Sequence, residues 1–142
     1  MKDGPKGTLE MALQEMETPC MDYLKYDREV ILNCFYKMFE RLGFIETYKI
    51  EPSRLEAFLL RICESYNYVP FHNLTHVFNV THVFYSMINS SRKESYLAQK
   101  SFEDIHKLSM LIACIGHDLD HPGLSNDFLG KEGHQLSVLS NK

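Results

Sequence analysis

Residues 108–123 read L-S-M-L-I-A-C-I-G-H-D-L-D-H-P-G, an apolar run that ends in a cluster of ionisable side chains. The apolar part has hydrophobic residues on most sides of a helix, which is typical of a central, buried helix. A carboxylate next to such a segment needs a compensating partner, and a divalent cation would provide one. The alternative interpretation is an ordinary helix C-terminus, at which the helix dipole favours His and Asp caps the next turn.

A second histidine motif, P-F-H-N-L-T-H, occupies residues 70–76. If a helix begins there, His72 and His76 lie one turn apart on the same face. Both could bind a metal, or one could bind it while the other transfers protons. His nitrogen and Asp oxygen ligands suit zinc, manganese or iron, and an Asp could also bridge to magnesium. The H-N-x-x-H and H-D-x-D-H-P-G motifs together therefore predict a metal centre.

Apolar residues recur at the three- and four-residue spacing of amphipathic helices along most of the chain. Cap and breaker residues predict where these helices begin and end. One helix begins near Asp27 and ends at Gly43, a second begins at Pro52, and a third runs from Asn73 to Ile88. Two more helices follow N-caps at Ser101 and Ser125.

The two ends of the chain give weaker signals. A short helix is possible within residues 1–24, which we otherwise expect to be weakly structured, and residues 134–140 resemble the start of a further helix. Residues 25–142 are then the helical domain. No run shows the period-2 alternation of a strand, so the sequence predicts an all-α fold.

Length and charge exclude several classes of protein. The 142 residues suit one domain, and the net charge of −4 argues against a nucleic acid partner. Residues 65–91 lack Asp, Glu, Lys and Arg but contain Pro70 and several polar residues, so we expect no membrane span. With no secretory signal and four cysteines that form no C-x-x-C pair, we expect reduced thiols in a cytoplasmic protein.

The two motifs carry a family resemblance, in the segments P-F-H-N-L-T-H-V-F-N-V-T and G-H-D-L-D-H-P-G-L-S-N-D-F-L. Over Pro70 to about Leu129 the sequence resembles the class I cyclic nucleotide phosphodiesterases of the HD superfamily of metal-dependent phosphohydrolases. The resemblance implies a multi-helical catalytic domain. It also implies hydrolysis of 3′,5′-cyclic AMP, cyclic GMP or both to the 5′-monophosphate.

The same resemblance implies a role for each residue of the motifs. His72 would be the general acid that protonates the leaving ribose O3′. His76, His117 and Asp118 would ligate a tightly held metal ion, usually zinc. Asp118 would also bridge to a second ion, usually magnesium and otherwise manganese, with His121 in the outer shell of that second ion. A hydroxide would attack the cyclic phosphorus in line with the breaking bond.

Some residues depart from the family pattern or match no motif. His82 stands where Gln is common, and its spacing from His76 turns it away from the His72–His76 face, so we predict a structural role for it. His106 and His134 match neither motif, and we expect ordinary surface or capping roles for them.

The resemblance also implies groups that this sequence does not supply. The family takes one more metal-ligating Asp, a base-binding Gln and an aromatic clamp from far downstream, whereas Glu132 is the one acid after Asp127. Asp120 is a poor substitute, since residues two apart on a helix point in different directions. We therefore expect a truncated catalytic domain, with unpartnered apolar helix faces and little or no hydrolysis by the chain alone.

Two alternatives stay open at this point. One is a non-catalytic truncated helical isoform that serves as an interaction module. The other is an HD-type metal-dependent phosphohydrolase with a different class of substrate. The sequence indicates neither an oligomeric state nor a choice between cyclic AMP and cyclic GMP.

Overall fold

Every regular element is helical in the computed structural model, which describes residues 6–89 and 103–135. The helices in these ranges are α1 (Leu9–Glu15), α2 (Arg28–Arg41), α3 (Phe44–Thr47), α4 (Pro52–Glu64), α5 (Leu74–Ile88), α6 (Asp104–Gly116) and α7 (Asn126–Lys131). A single 3-10 turn, Tyr23–Lys25, precedes α2. The all-α prediction is confirmed for this part of the chain.

Cap residues set the boundaries of three helices where the sequence predicts them. The Asp27 carboxylate accepts from the amide of Val30 at the start of α2, and Asn73 and Ser125 cap α5 and α7 in the same way. After α2, Gly43 adopts the left-handed conformation (φ 74°) that ends many helices. The predicted Ser101 cap lies outside the described residues, as does most of the predicted helix at 134–140, and Glu103 is the N-cap of α6.

The N-terminal part of the chain packs against α2. The short helix allowed by the sequence is α1, and Ala12 and Met16 are fully buried in the common core. Arg41 at the end of α2 pairs with Glu17. These contacts attach the described part of the N-terminal segment to the helical core, while the division into segments at residue 24 stays a prediction.

An aromatic cluster around Phe78 forms the centre of the core. Phe78 of α5 has no exposed surface. Its ring makes edge-to-face contacts with Tyr23, Tyr26 and Phe35, at centroid distances of 5.7, 6.4 and 5.8 Å. Such contacts add to the stabilisation from burial alone, so α5 is fixed against α2 and the 3-10 turn.

His82 is buried on α5, away from the histidine motifs. Its Nε2 lies 3.1 Å from the carbonyl oxygen of Met16 and its Nδ1 lies 2.9 Å from the hydroxyl of Tyr23. A carbonyl oxygen only accepts, so Nε2 donates, and in a neutral ring Nδ1 accepts from the tyrosine. His82 therefore joins α5 to the N-terminal segment, the structural role predicted for it.

α6 packs mainly on α5, and only one of its faces is covered within the described residues. Leu111 and Ile115 are fully buried, whereas Ile105, Met110 and Ile112 are each at least 39% exposed. α6, which the sequence predicts to be central, is therefore buried on one side only within the described residues. Its exposed apolar face agrees with the expectation of apolar helix faces that lack a partner. On α5, Met87 is also 48% exposed.

None of the described helices is both long and apolar enough to cross a bilayer. The four cysteines are free thiols: Cys34 and Cys63 are buried, Cys114 is half-buried and Cys20 is exposed. Burial raises the pKa of the Cys63 thiol to about 11 and that of Cys34 to about 12, so both are protonated and unreactive near neutral pH.

Replacing Phe78 with Ala tests the aromatic cluster. We expect Phe78→Ala to lower the free energy of unfolding by about 3–5 kcal/mol, because it leaves a cavity where three other rings meet. Urea unfolding followed by circular dichroism measures this change. The matched control is Phe58→Ala on α4, whose ring is 40% exposed and whose loss is expected to cost about 1 kcal/mol. Equal losses in the two variants would contradict the central position of Phe78.

Candidate metal centre

The predicted metal ligands converge where α5 meets the end of α6. His76 lies in the first turn of α5, and His117 and Asp118 follow directly on α6. Nε2 of His76 is 3.5 Å and Nε2 of His117 is 3.2 Å from Oδ2 of Asp118. One potential ligand atom from each residue lies within 4.8 Å of the other two, so the three side chains can share one cation. Each of them was predicted as a ligand from the sequence.

The cap of α5 fixes the position of His76. The Asn73 side chain accepts from the amide of His76 at 3.1 Å and donates to the carbonyl of Val69 at 2.9 Å. Burial lowers the pKa of His76, as do the neighbouring imidazoles of His117 and His72, while the charge of Asp118 raises it. The neutral imidazole, the form that binds metals, is favoured as a result.

A backbone contact sets the tautomer of His117. Its Nδ1 lies 2.8 Å from the carbonyl oxygen of Cys114, to which only an N–H can donate. In the neutral ring the proton is therefore on Nδ1, and the lone pair of Nε2 points at the carboxylate of Asp118. A second hydrogen bond of this kind is what orients most metal-ligating histidines. The sequence contained no signal for Cys114 in this role, because every residue type carries a carbonyl.

Asp118 is the group that most needs a partner. Its side chain is 14% exposed, and its Oδ2 is buried without a hydrogen bond. With its proton on Nδ1, neutral His117 turns an Nε2 lone pair and not an N–H towards this oxygen, and Nε2 of His76 lies 3.5 Å from it without a hydrogen bond. A buried anionic oxygen facing a nitrogen lone pair is unfavourable in itself and becomes favourable around a cation. The donor set therefore fits a divalent metal ion.

His72 and His121 lie beside this group and face each other. Their rings stack with centroids 4.0 Å apart and planes 22° from parallel. With Asp118 they form a second set of closely spaced potential ligand atoms, so Asp118 belongs to both sets. Nδ1 of His121 accepts from the amide of Gly123 at 3.0 Å, which puts the proton of the neutral ring on Nε2. His121 is thus arranged as a hydrogen-bond donor, and its position in the outer shell of a second ion stays a prediction.

The remaining candidates lie outside the two groups. Asp120 joins neither group, as its spacing predicted, and its Oδ1 accepts from Asn67 at 3.1 Å. His106 and His134 are exposed and also lie outside both groups. A cavity of about 500 Å³ opens next to His72 and His121 and extends to the start of α7. The centre is therefore reachable from solvent on the side of its proposed proton donor.

Tyr66 and Asn67 also reach this region, although the sequence marked neither as functional. The Tyr66 hydroxyl donates to the carbonyl of Ile115 at 2.7 Å. Burial raises the pKa of Tyr66 to about 12, which keeps the hydroxyl protonated as a donor. The end of α6 is therefore tied to the segment that follows α4, and this contact holds the ligands of α6 against α5.

Comparison with known proteins agrees with this geometry. The family profile described as 3′5′-cyclic nucleotide phosphodiesterase matches residues 71–142, half of the chain, including both motifs. The chain belongs to this family. The expected resemblance to phosphodiesterases is confirmed, and the family is one of metal-dependent hydrolases.

Individual relatives support the same assignment. The phosphodiesterase domain of the RhoPDE fusion protein from the choanoflagellate Salpingoeca rosetta superposes with a TM-score of 0.80 at 30% identity over 93% of this phosphodiesterase chain. The high affinity cGMP-specific 3′,5′-cyclic phosphodiesterase 9A of Mus musculus is 31% identical over 91% of the chain. The dual 3′,5′-cyclic-AMP and -GMP phosphodiesterase 11A of Takifugu rubripes is 31% identical over 83% of the chain.

The chain covers only part of each of these proteins. It spans 40% of the Salpingoeca domain, 23% of the mouse protein and 12% of the Takifugu protein. The superposition therefore relates this phosphodiesterase chain to less than half of a complete catalytic domain.

The unpaired oxygen of Asp118 leads to a stability prediction for the metal-free protein. We expect Asp118→Asn to raise the free energy of unfolding in the presence of a chelator by about 1 kcal/mol, because the Asn amide can donate to Nε2 of His117 and carries no buried charge. Urea unfolding in EDTA measures the change. Asp127→Asn, at an exposed position in the first turn of α7, is the control and should give no gain. A loss of stability in Asp118→Asn would show that the carboxylate is already satisfied without a cation.

Proposed function

We propose that this chain supplies the proton donor and three metal ligands of a cyclic nucleotide phosphodiesterase centre. The reaction is hydrolysis of 3′,5′-cyclic AMP, cyclic GMP or both to the 5′-monophosphate. The observation that carries the proposal is the convergence of His76 and His117 on the buried, unpaired oxygen of Asp118. Imidazole nitrogens and a carboxylate oxygen are ligands that divalent transition metals bind in proteins.

Asp118 would contribute to holding two different ions. His76, His117 and Asp118 offer nitrogen and oxygen ligands suited to zinc, with a position left open for a further ligand. The Asp118 carboxylate would also help to hold magnesium, or manganese, because such ions prefer oxygen ligands and retained water, with His121 in the outer shell of that ion. Bound there, two metal ions would neutralise phosphate charge and activate water for attack on phosphorus.

His72 would act on the leaving group. It lies one turn before His76, and the two ring centroids are 5.8 Å apart. When the P–O3′ bond breaks, the departing ribose oxygen needs a proton, which a protonated His72 would donate from its position beside the centre. The stacked ring of His121, whose Nε2–H is free to donate, would orient the water or phosphate oxygens on the same side.

Metal binding by the chain itself tests the ligand assignment. We expect Co²⁺, used as a visible substitute for zinc, to bind with the absorption bands of a nitrogen- and oxygen-ligated site, and His76→Ala or His117→Ala to weaken that binding by at least about 10-fold. His106→Ala, a histidine outside the centre, is the matched control. Unchanged affinity in both ligand variants would contradict the assignment.

A chimera tests the reaction. The matching part of the Salpingoeca rosetta phosphodiesterase domain would be replaced by this chain, and hydrolysis of cyclic AMP and cyclic GMP measured. We expect the chimera to be active and His72→Ala to reduce kcat by about 10²–10⁴-fold, the usual contribution of a general acid. The control is His134→Ala. A folded, metal-loaded chimera that hydrolyses neither nucleotide, or that keeps its rate without His72, would refute the proposal.

The expectation that the chain alone hydrolyses little also stays a prediction. Its motivation is the candidate ligand set, in which three protein groups would surround the first ion and Glu132 is the one acid of the sequence after Asp127. The measurement is turnover of both cyclic nucleotides by the 142-residue chain with zinc and magnesium. A rate equal to that of the chimera would contradict it.

A further inference from the structure

The turn that follows α6 has an unusual backbone. Asp120 has a φ of 56°, and Gly123 has a φ of 75°. Glycine adopts such values freely, but a residue with a side chain does so at a cost and needs its surroundings to hold it there. This turn carries Asp118 before the strained residue and His121 directly after it. The positions of both groups therefore depend on whatever holds Asp120.

The chain segment after α4 supplies the contacts that hold this turn. The amide of Asp120 donates to the carbonyl of Ser65 at 3.2 Å. Nδ2 of Asn67 lies 3.1 Å from Oδ1 of Asp120 and 3.2 Å from the carbonyl oxygen of His121. One amide group thus binds a side chain and a backbone carbonyl on consecutive residues. Such a bridge needs a side chain with two N–H donors. The Asn amide has both, whereas the similarly shaped side chains of Asp and Leu have neither.

The far end of the turn is held by packing instead. A Cβ added at Gly123 would meet Cγ1 of Val69 at 2.8 Å, closer than real side chains approach. The glycine therefore lies directly against Val69 and is positioned without a hydrogen-bonding side chain. The near end, at Asp120, is exposed, and its conformation is held by the bonds with Ser65 and Asn67.

We propose that Asn67 is a positioning residue of the metal centre, acting through the left-handed conformation of Asp120. The proposal rests on the proposed function of the centre and extends it to a residue that ligates nothing. By fixing residue 120, Asn67 sets the direction in which the chain leaves Asp118 and the direction from which the ring of His121 approaches His72.

The first test is the Co²⁺ affinity of Asn67→Ala in the full 142-residue chain, read from the absorption bands of the bound ion. We expect the Kd to rise about 10-fold or more, the usual effect of removing a group that orients a ligand. The matched control is Asn33→Ala, which removes an exposed amide whose bond is to the carbonyl of Glu29 within α2. Its Kd should not change.

A second variant distinguishes positioning from a general loss of structure. In the double variant Asn67→Ala/Asp120→Gly, residue 120 adopts a positive φ without strain, so we expect most of the lost Co²⁺ affinity to return. Damage to the fold would not be repaired by adding a glycine.

The outcomes separate this inference from the proposed function. Equal Kd values for the unchanged chain and Asn67→Ala would overturn the inference and leave the metal centre intact. A loss that Asp120→Gly does not restore would overturn the route through Asp120. Failure of the unchanged chain to bind Co²⁺ would overturn the proposed function and the inference with it.

Discussion

α5 is the helix against which α2, α6 and the 3-10 turn all pack, and every part of the metal centre depends on that packing. It buries one broad face, and a polar side chain on or beside that face is costly to leave without a partner. His82 satisfies this requirement by bonding to the N-terminal segment. His76 lies near the end of α6, and its Nε2 is 3.5 Å from Oδ2 of Asp118, which has no hydrogen bond. The protein itself therefore supplies partners for His82, whereas a cation would be the partner of the Asp118 oxygen that faces His76.

Much of this arrangement could be predicted from the sequence because it is local. Asp27, Asn73 and Ser125 cap helices through bonds to amides three residues away, and such contacts follow from residue type and position. The candidate ligands His76, His117 and Asp118 could be predicted for a related reason, since they lie in two short motifs whose resemblance to a known family implied this role. The sequence motifs did not predict the distances between these side chains, because the two motifs come together only when the helices pack.

Other features depend on contacts that residue types do not encode. The residue type of Asn67 predicts only that it interrupts a helix. In the structure it bonds to Asp120 and His121, which lie more than fifty residues further along the chain. The apolar character of α6 indicates that the helix should be covered, but it says nothing of which element covers each face. Met110 and Ile112 are accordingly exposed in the described part of the chain although the pattern predicted burial.

The position of the ligands along the chain has a consequence for folding. His76 and His117 are separated by about forty residues, and closing a loop of that length costs chain entropy on the order of 3 kcal/mol. Packing of α5 on α6 already closes this loop. A cation held by both imidazoles would act as a reversible cross-link at the same place, so the packing lowers the entropic cost of ion capture. Capture in turn would hold the two helices together during fluctuations that would otherwise separate them.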